Sequence, residues 1–194
     1  MPFSTDSSWP AGLLKIFEIC RKKTPTQESR YYGAYNRLLS YCFGDSFTFY
    51  VAPQHPPSDL QHRDAVDFVV LLIVFDSDSR PVLVAEIKDD GWAERAHTRL
   101  EADEQLRRRY DIMLHDCPIP HLWGLSLLGT SARVYCGQVV TGAVTPPRQA
   151  RPRDDYVLPP EFLAGQWSLD ILSMEGFNKM KEIVADITTA VDAL

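Results

Sequence analysis

The chain has 194 residues, enough for one domain whose core needs no staples. At 45% hydrophobic and 24% charged it reads as an ordinary globular protein, and a net charge of −6 argues against coating nucleic acid by global attraction. The longest apolar stretch, Phe68 to Phe75, is strand-sized, so no membrane helix is expected.

Met1 to Asp6 lack a basic region followed by an apolar one, so no secretory leader is expected. Cys20, Cys42, Cys117 and Cys136 form no zinc-type pairs. They are expected to be buried thiols in a reducing intracellular compartment, cytoplasmic or nuclear. Local basic clusters remain at Arg21-Lys22-Lys23, at Arg107-Arg108-Arg109, and at Arg148, Arg151 and Arg153. Each is either a solvated face or a phosphate grip.

Residues 10–21 read as a short amphipathic helix through Leu13, Ile16, Phe17 and Cys20. A second helix is expected from Pro25 to Phe43, with Thr24 as N-cap and Gln27 completing a capping box. Gly44-Asp45 ends it, and residues 46–52 read as a strand. Prolines 53, 56 and 57 mark a loop to Arg63. A hairpin follows: Val66 to Phe75, a turn over Asp76 to Arg80, and Pro81 to Lys88. Both strands are apolar almost throughout, which fits a sheet covered on both faces. A long helix is expected from Trp92 to His115, then strands over His121 to Leu128 and Ala132 to Val140. Residues 142–166, with five prolines, read as a surface loop. Met174, Phe177, Met180, Val184, Ile187 and Val191 mark a closing amphipathic helix.

The segment Ala85-Glu86-Ile87-Lys88-Asp89 concentrates the chemistry. Glu86 and Lys88, two apart on a strand, project from one face. A buried charge needs a partner or a metal. If Asp76 pairs with Pro81, Asp67 falls opposite Asp90 with Lys88 as diagonal neighbour, and Asp67, Glu86 and Lys88 share one face at one end of the hairpin. Two converging carboxylates repel unless a cation joins them, and Mg²⁺ takes such oxygen ligands. The bland alternative is a partly buried salt-bridge cluster of Asp67, Glu86 and Lys88.

These residues resemble the PD-(D/E)xK nuclease superfamily. The resemblance implies a restriction-endonuclease-like fold, a three-layer α/β/α arrangement with a mixed central sheet. Its core order, α-β-β-β-α-β plus an extra strand, would span residues 24–140, with 142–194 packed on the same single domain. Ala102 to Arg107 and Leu122 to Thr130 are also similar to fungal members of that superfamily. Carried over by position, Asp67, Glu86 and the Ile87 carbonyl would bind Mg²⁺ or Mn²⁺, and Lys88 would position the attacking water. Val66 stands where a proline is usual. Glu28 is the candidate acid on the first core helix, or alternatively a first-turn acid complementing the helix dipole. Gln105 with Tyr110 resembles a glutamine–tyrosine pair of some members, one residue longer in spacing. Arg95, Arg99, Arg107, Arg108 and Arg109 are the expected phosphate contacts. The function implied is hydrolysis of phosphodiester bonds, in DNA rather than RNA, leaving a 5′-phosphate. Many such nucleases act as homodimers. The competing reading keeps the fold as a binding module for nucleic acid or protein, without turnover.

Overall fold

Among the described residues, seven strands form one mixed sheet in the order β1-β2-β3-β4-β5-β6, with β7 beside β5. The structure, a computed structural model, describes residues 2–22, 29–44, 47–54, 70–151 and 157–194. The strands are β1 (Phe49–Gln54), β2 (Val70–Asp76), β3 (Pro81–Lys88), β4 (His121–Leu128), β5 (Ser131–Gln138), β6 (Val144–Thr145) and β7 (Leu169–Asp170). The helices are α1 (Pro2–Thr5), α2 (Ala11–Arg21), α3 (Ser29–Phe43), α4 (Ala96–Met113) and α5 (Met174–Val191). β1 pairs with β2 and β2 with β3 in antiparallel fashion, whereas β3 and β4 are parallel, joined through α4. The protein is thus α/β with a mixed open sheet. No helix among the described residues is long and apolar enough to cross a membrane.

All eight residues of β3 are buried, as the unbroken apolar run requires of a strand covered on both faces. α4 lies over the face carrying Val84, because a side-chain carbon built on Gly124, the β4 partner of Val84, would strike Tyr110. The opposite face carries Leu83, Ala85 and Ile87, which join the buried sides of α2, α3 and α5 in one core. α3 reaches it with Tyr31, Ala34, Tyr35, Leu38, Leu39 and Cys42, the i, i+3, i+4 stripe of a half-buried helix. α5 starts where the Ser173 hydroxyl accepts the Gly176 N–H at 3.0 Å.

Several expected boundaries move. β1 runs on through Pro53 and Gln54, which pair with Leu72 and Leu71. A proline is tolerated there because β1 is the edge of the sheet. The helix expected from Trp92 instead begins at Ala96, after a 3₁₀ turn over Asp90–Ala93. The Asp89 carboxylate accepts the Gly91 N–H and fixes that turn, and Arg95 is extended, which breaks the two apart. A second 3₁₀ turn, Leu114–Asp116, closes α4. β5 ends at Gln138, and the short β7 had no counterpart among the expected strands. The proposed capping box at Thr24 and Gln27 lies outside the described residues.

The hairpin turn also differs, with an informative result. Phe75, not Asp76, pairs with Pro81, and the register shifts between Val74 and Phe75. Ser79 sits at φ 62, and the Asp76 carboxylate accepts the backbone N–H groups of Asp78 and Arg80. This is a three-residue loop with a bulge. Beyond the bulge Val74 pairs with Leu83 and Val70 with Ile87, the register that the even-turn assumption required.

Candidate active site

β3 delivers two ionisable side chains to one face. Glu86 and Lys88 both leave on the α4 side, and each is only 1% exposed. Their register partners in β4 are Ser126 and Leu128. Asp67 and Glu28, the other acids expected here, lie outside the described residues.

The Glu86 carboxylate has an ion-pair partner that the sequence did not single out for it. Arg109 Nε on α4 stands 3.6 Å from Glu86 Oε2. That distance permits attraction but not a good hydrogen bond. Neither Glu86 oxygen has a hydrogen-bond partner among the described residues. Burial pushes the Glu86 carboxyl above its ordinary 4.5, while Arg109, Lys88 and Arg108 pull the other way. The Lys88 ammonium lies 4.4 Å from the centroid of the Trp92 ring, a cation–π contact that replaces part of its lost hydration. Trp92 reaches it from the 3₁₀ turn four residues on.

α4 contributes a second polar side chain. Gln105 and Arg109 are one helical turn apart on one flank of α4. Gln105 donates to Glu101 Oε1 at 3.2 Å, and its own oxygen is buried with no donor among the described residues. Tyr110 does not join them. It is buried against β4 and β5, where carbons added to Gly124 or Gly137 would strike its ring. The resemblance paired Gln105 with Tyr110, whereas helix geometry pairs Gln105 with Arg109. The i, i+4 spacing was the available signal.

The remaining arginines divide. Arg99 is buried and donates to the carbonyls of Ala93, Pro160 and Phe162 at 2.5–3.0 Å. Arg107 is buried, bonded to Asp103 at 2.8 Å and to the Pro146 carbonyl at 2.8 Å. Both were expected to meet phosphates. Their donors are instead committed inside the protein, tying Pro146, Pro160 and Phe162 to α4. Arg108 is exposed. Arg95 is exposed at the start of α4, where it lines a groove of about 430 Å³ with His97 and Arg151. Ile87 points to the opposite face and is fully buried, in register between Val70 and Leu127.

The chain after Lys88 is tied down on its other side. Arg30 pairs with Asp89 at 2.9 Å and also with Asp90, and the Tyr31 hydroxyl donates to Asp90 at 2.8 Å. Burial, then the Asp90 contact, pushes the Tyr31 phenol up. The Lys88 carbonyl accepts the Gly129 N–H at 2.9 Å, and Tyr35 donates to the Gly129 carbonyl. Gly129 is at φ +61, and any side chain there would collide with the Asp90 carboxylate. The first turn of α3 and the β4–β5 turn therefore both clamp the end of β3.

Other candidates behave as structural residues. Cys20, Cys42, Cys117 and Cys136 are free thiols, the last only partly buried. Burial pushes Cys117 up to about 11 and raises Cys136 as well, away from the thiolate form. Trp167 is buried and donates to the Ser126 hydroxyl, and Trp123 donates to Asp186. Among the described residues no group of three or more His, Cys, Asp or Glu is placed to hold a metal ion. Glu86, with two buried oxygens lacking hydrogen-bond donors among the described residues, has the ligand chemistry that a hard divalent cation takes. Comparison with protein-family models, with curated proteins and with solved structures finds no match for this chain.

Proposed function

We propose that the protein is a metal-dependent nuclease that hydrolyses phosphodiester bonds in nucleic acid, DNA before RNA. One observation carries the reading: an acid and an amine from β3, Glu86 and Lys88, are buried together on one face, and the acid lacks hydrogen-bond donors among the described residues. Isolated buried charge is strongly unfavourable, so such a pair is retained where it does chemistry or completes a network. The β2–β3 register beyond the bulge, Val70 with Ile87, is the one on which the Asp67 argument depends, which supports including Asp67. Arg30 and Tyr31, just after Glu28 in the chain, bond Asp89 and Asp90, which supports including Glu28. The restriction-endonuclease-like fold belongs to the same proposal. Its support is the order α3, β1, β2, β3, α4, β4, β5 with β3 and β4 parallel.

Asp67, Glu86 and the Ile87 carbonyl are the groups that would hold Mg²⁺ or Mn²⁺. A divalent ion there supplies positive charge against the phosphoryl oxygens. Lys88 would donate from Nζ to the attacking water and orient it toward phosphorus. Trp92 keeps bulk water from the Lys88 ammonium on one side.

A second reading, a binding module without turnover, is favoured by the Arg109 guanidinium beside Glu86 and by the burial of Arg99 and Arg107. Incubation with plasmid and linear DNA in Mg²⁺ or Mn²⁺ separates the two. The nuclease reading expects cleavage that stops in EDTA and falls at least about a hundredfold in Lys88→Ala and Asp67→Ala, with circular dichroism unchanged. Equal cleavage by both variants, or cleavage in EDTA, rules it out.

A further inference from the structure

Two arginines of α4, Arg107 and Arg109, meet buried carboxylates in opposite styles. Asp103 accepts Arg107 through Nε at 2.8 Å and through a terminal nitrogen at 3.2 Å. It also accepts Arg133 at 2.8 Å and the Tyr135 hydroxyl at 2.7 Å. That is how this fold builds a permanent buried ion pair, with the carboxylate oxygens satisfied. Glu86 and Arg109 are built otherwise. Arg109 Nε stands 3.6 Å from Glu86 Oε2, and among the described residues both Glu86 oxygens lack hydrogen-bond donors and Arg109 Nε lacks an acceptor. Arg109 keeps 12% of its side chain exposed, although its Nε is buried, so the residue is not sealed from solvent as Glu86 is.

Building on the metal-site reading above, we propose that Arg109 is a displaceable counter-ion. Its guanidinium stands beside Glu86 in the metal-free protein, gives way when a divalent cation engages the carboxylate, and then lies at the rim of the site. There a planar cationic fork suits the phosphate of a nucleic-acid strand. Two cations beside one carboxylate repel, so arginine and metal compete for Glu86. Arg109 is in this sense a positioning residue. It holds the empty site together and sets the threshold for metal entry.

The test follows the metal alone, with no cleavage involved. Mg²⁺ is titrated at pH 8 into ¹⁵N-labelled full chain, and the arginine Nε–H resonances are followed, with Arg109→Lys assigning the Arg109 signal. Calorimetry gives the Mg²⁺ affinity of wild type and Arg109→Ala. The Arg109 signal is expected to move saturably with the calorimetric affinity while that of Arg107 stays fixed. Arg109→Ala is expected to bind Mg²⁺ about tenfold more tightly than wild type. Mg²⁺ binding with a stationary Arg109 signal overturns the proposal and leaves the metal site standing, as does equal or weaker affinity in Arg109→Ala. A wild type that binds no Mg²⁺ overturns the metal reading and this proposal with it. If Arg109→Ala does not fold, the wild-type resonances still decide.

Discussion

Burial acts directly on the Glu86 side chain. Its carboxyl is held above the ordinary 4.5 chiefly by desolvation. Between that value and the raised native value, the folded chain binds more protons than the unfolded one. Stability therefore falls as pH rises through the window and is regained below about 4.5. Glu86→Gln removes the titration. In EDTA the variant is expected to have a higher urea midpoint than wild type at pH 8, with the gain shrinking as pH approaches 4.5. A gain that is absent or independent of pH contradicts the burial account. Asp103 gives the opposite case. It is buried and satisfied by Arg107, Arg133 and Tyr135, so Asp103→Ala leaves two buried cations and a hydroxyl without their acceptor. A loss of about 3–5 kcal/mol is expected, a fall in Tm on the order of 10 °C by calorimetry. A shift within a degree or two would show that the network carries no stability.

Among the elements, α4 and the β2–β3 hairpin position the site. α4 sits close to the sheet because β4 and β5 offer glycines under Tyr110. A carbon added at Gly137 would lie 2.6 Å from two Tyr110 ring atoms and 2.9 Å from Leu114 Cδ1. Gly137→Ala is expected to destabilise by about 1–3 kcal/mol in urea unfolding and to loosen the α4 side of the site. An unchanged midpoint would mean that the helix docks elsewhere. The hairpin was legible because strand parity depends only on alternation, so Glu86 and Lys88 had to share a face. The turn was not legible. Asp76 folds its carboxylate over the Asp78 and Arg80 amides, a side-chain contact that alternation does not encode, and a bulge then restores the register. The start of α4 was misjudged for a similar reason. Trp92 has helical neighbours in the sequence, but Asp89 caps a separate 3₁₀ turn and frees Trp92 to lie on Lys88.

At the scale of the molecule, a sheet covered on both faces was readable from β3's unbroken apolar run and from the amphipathic stripes of α3 and α5. Long-range polar pairing was not. Arg109 meets Glu86, and Arg99 meets carbonyls near Phe162, only through folding, so the basic cluster Arg107-Arg108-Arg109 divides into a buried strut, an exposed cation and a site residue. A chain of net charge −6 that turns several arginines inward has little long-range attraction for a polyanion. The central claim is that Glu86 holds a divalent ion beside Lys88. Crystals soaked in Mn²⁺ and measured at the manganese absorption edge test it most directly. The account predicts an anomalous peak within about 2–2.5 Å of a Glu86 oxygen, absent from Glu86→Gln crystals. A Glu86 carboxylate still against Arg109 with no peak, at saturating Mn²⁺, would contradict it.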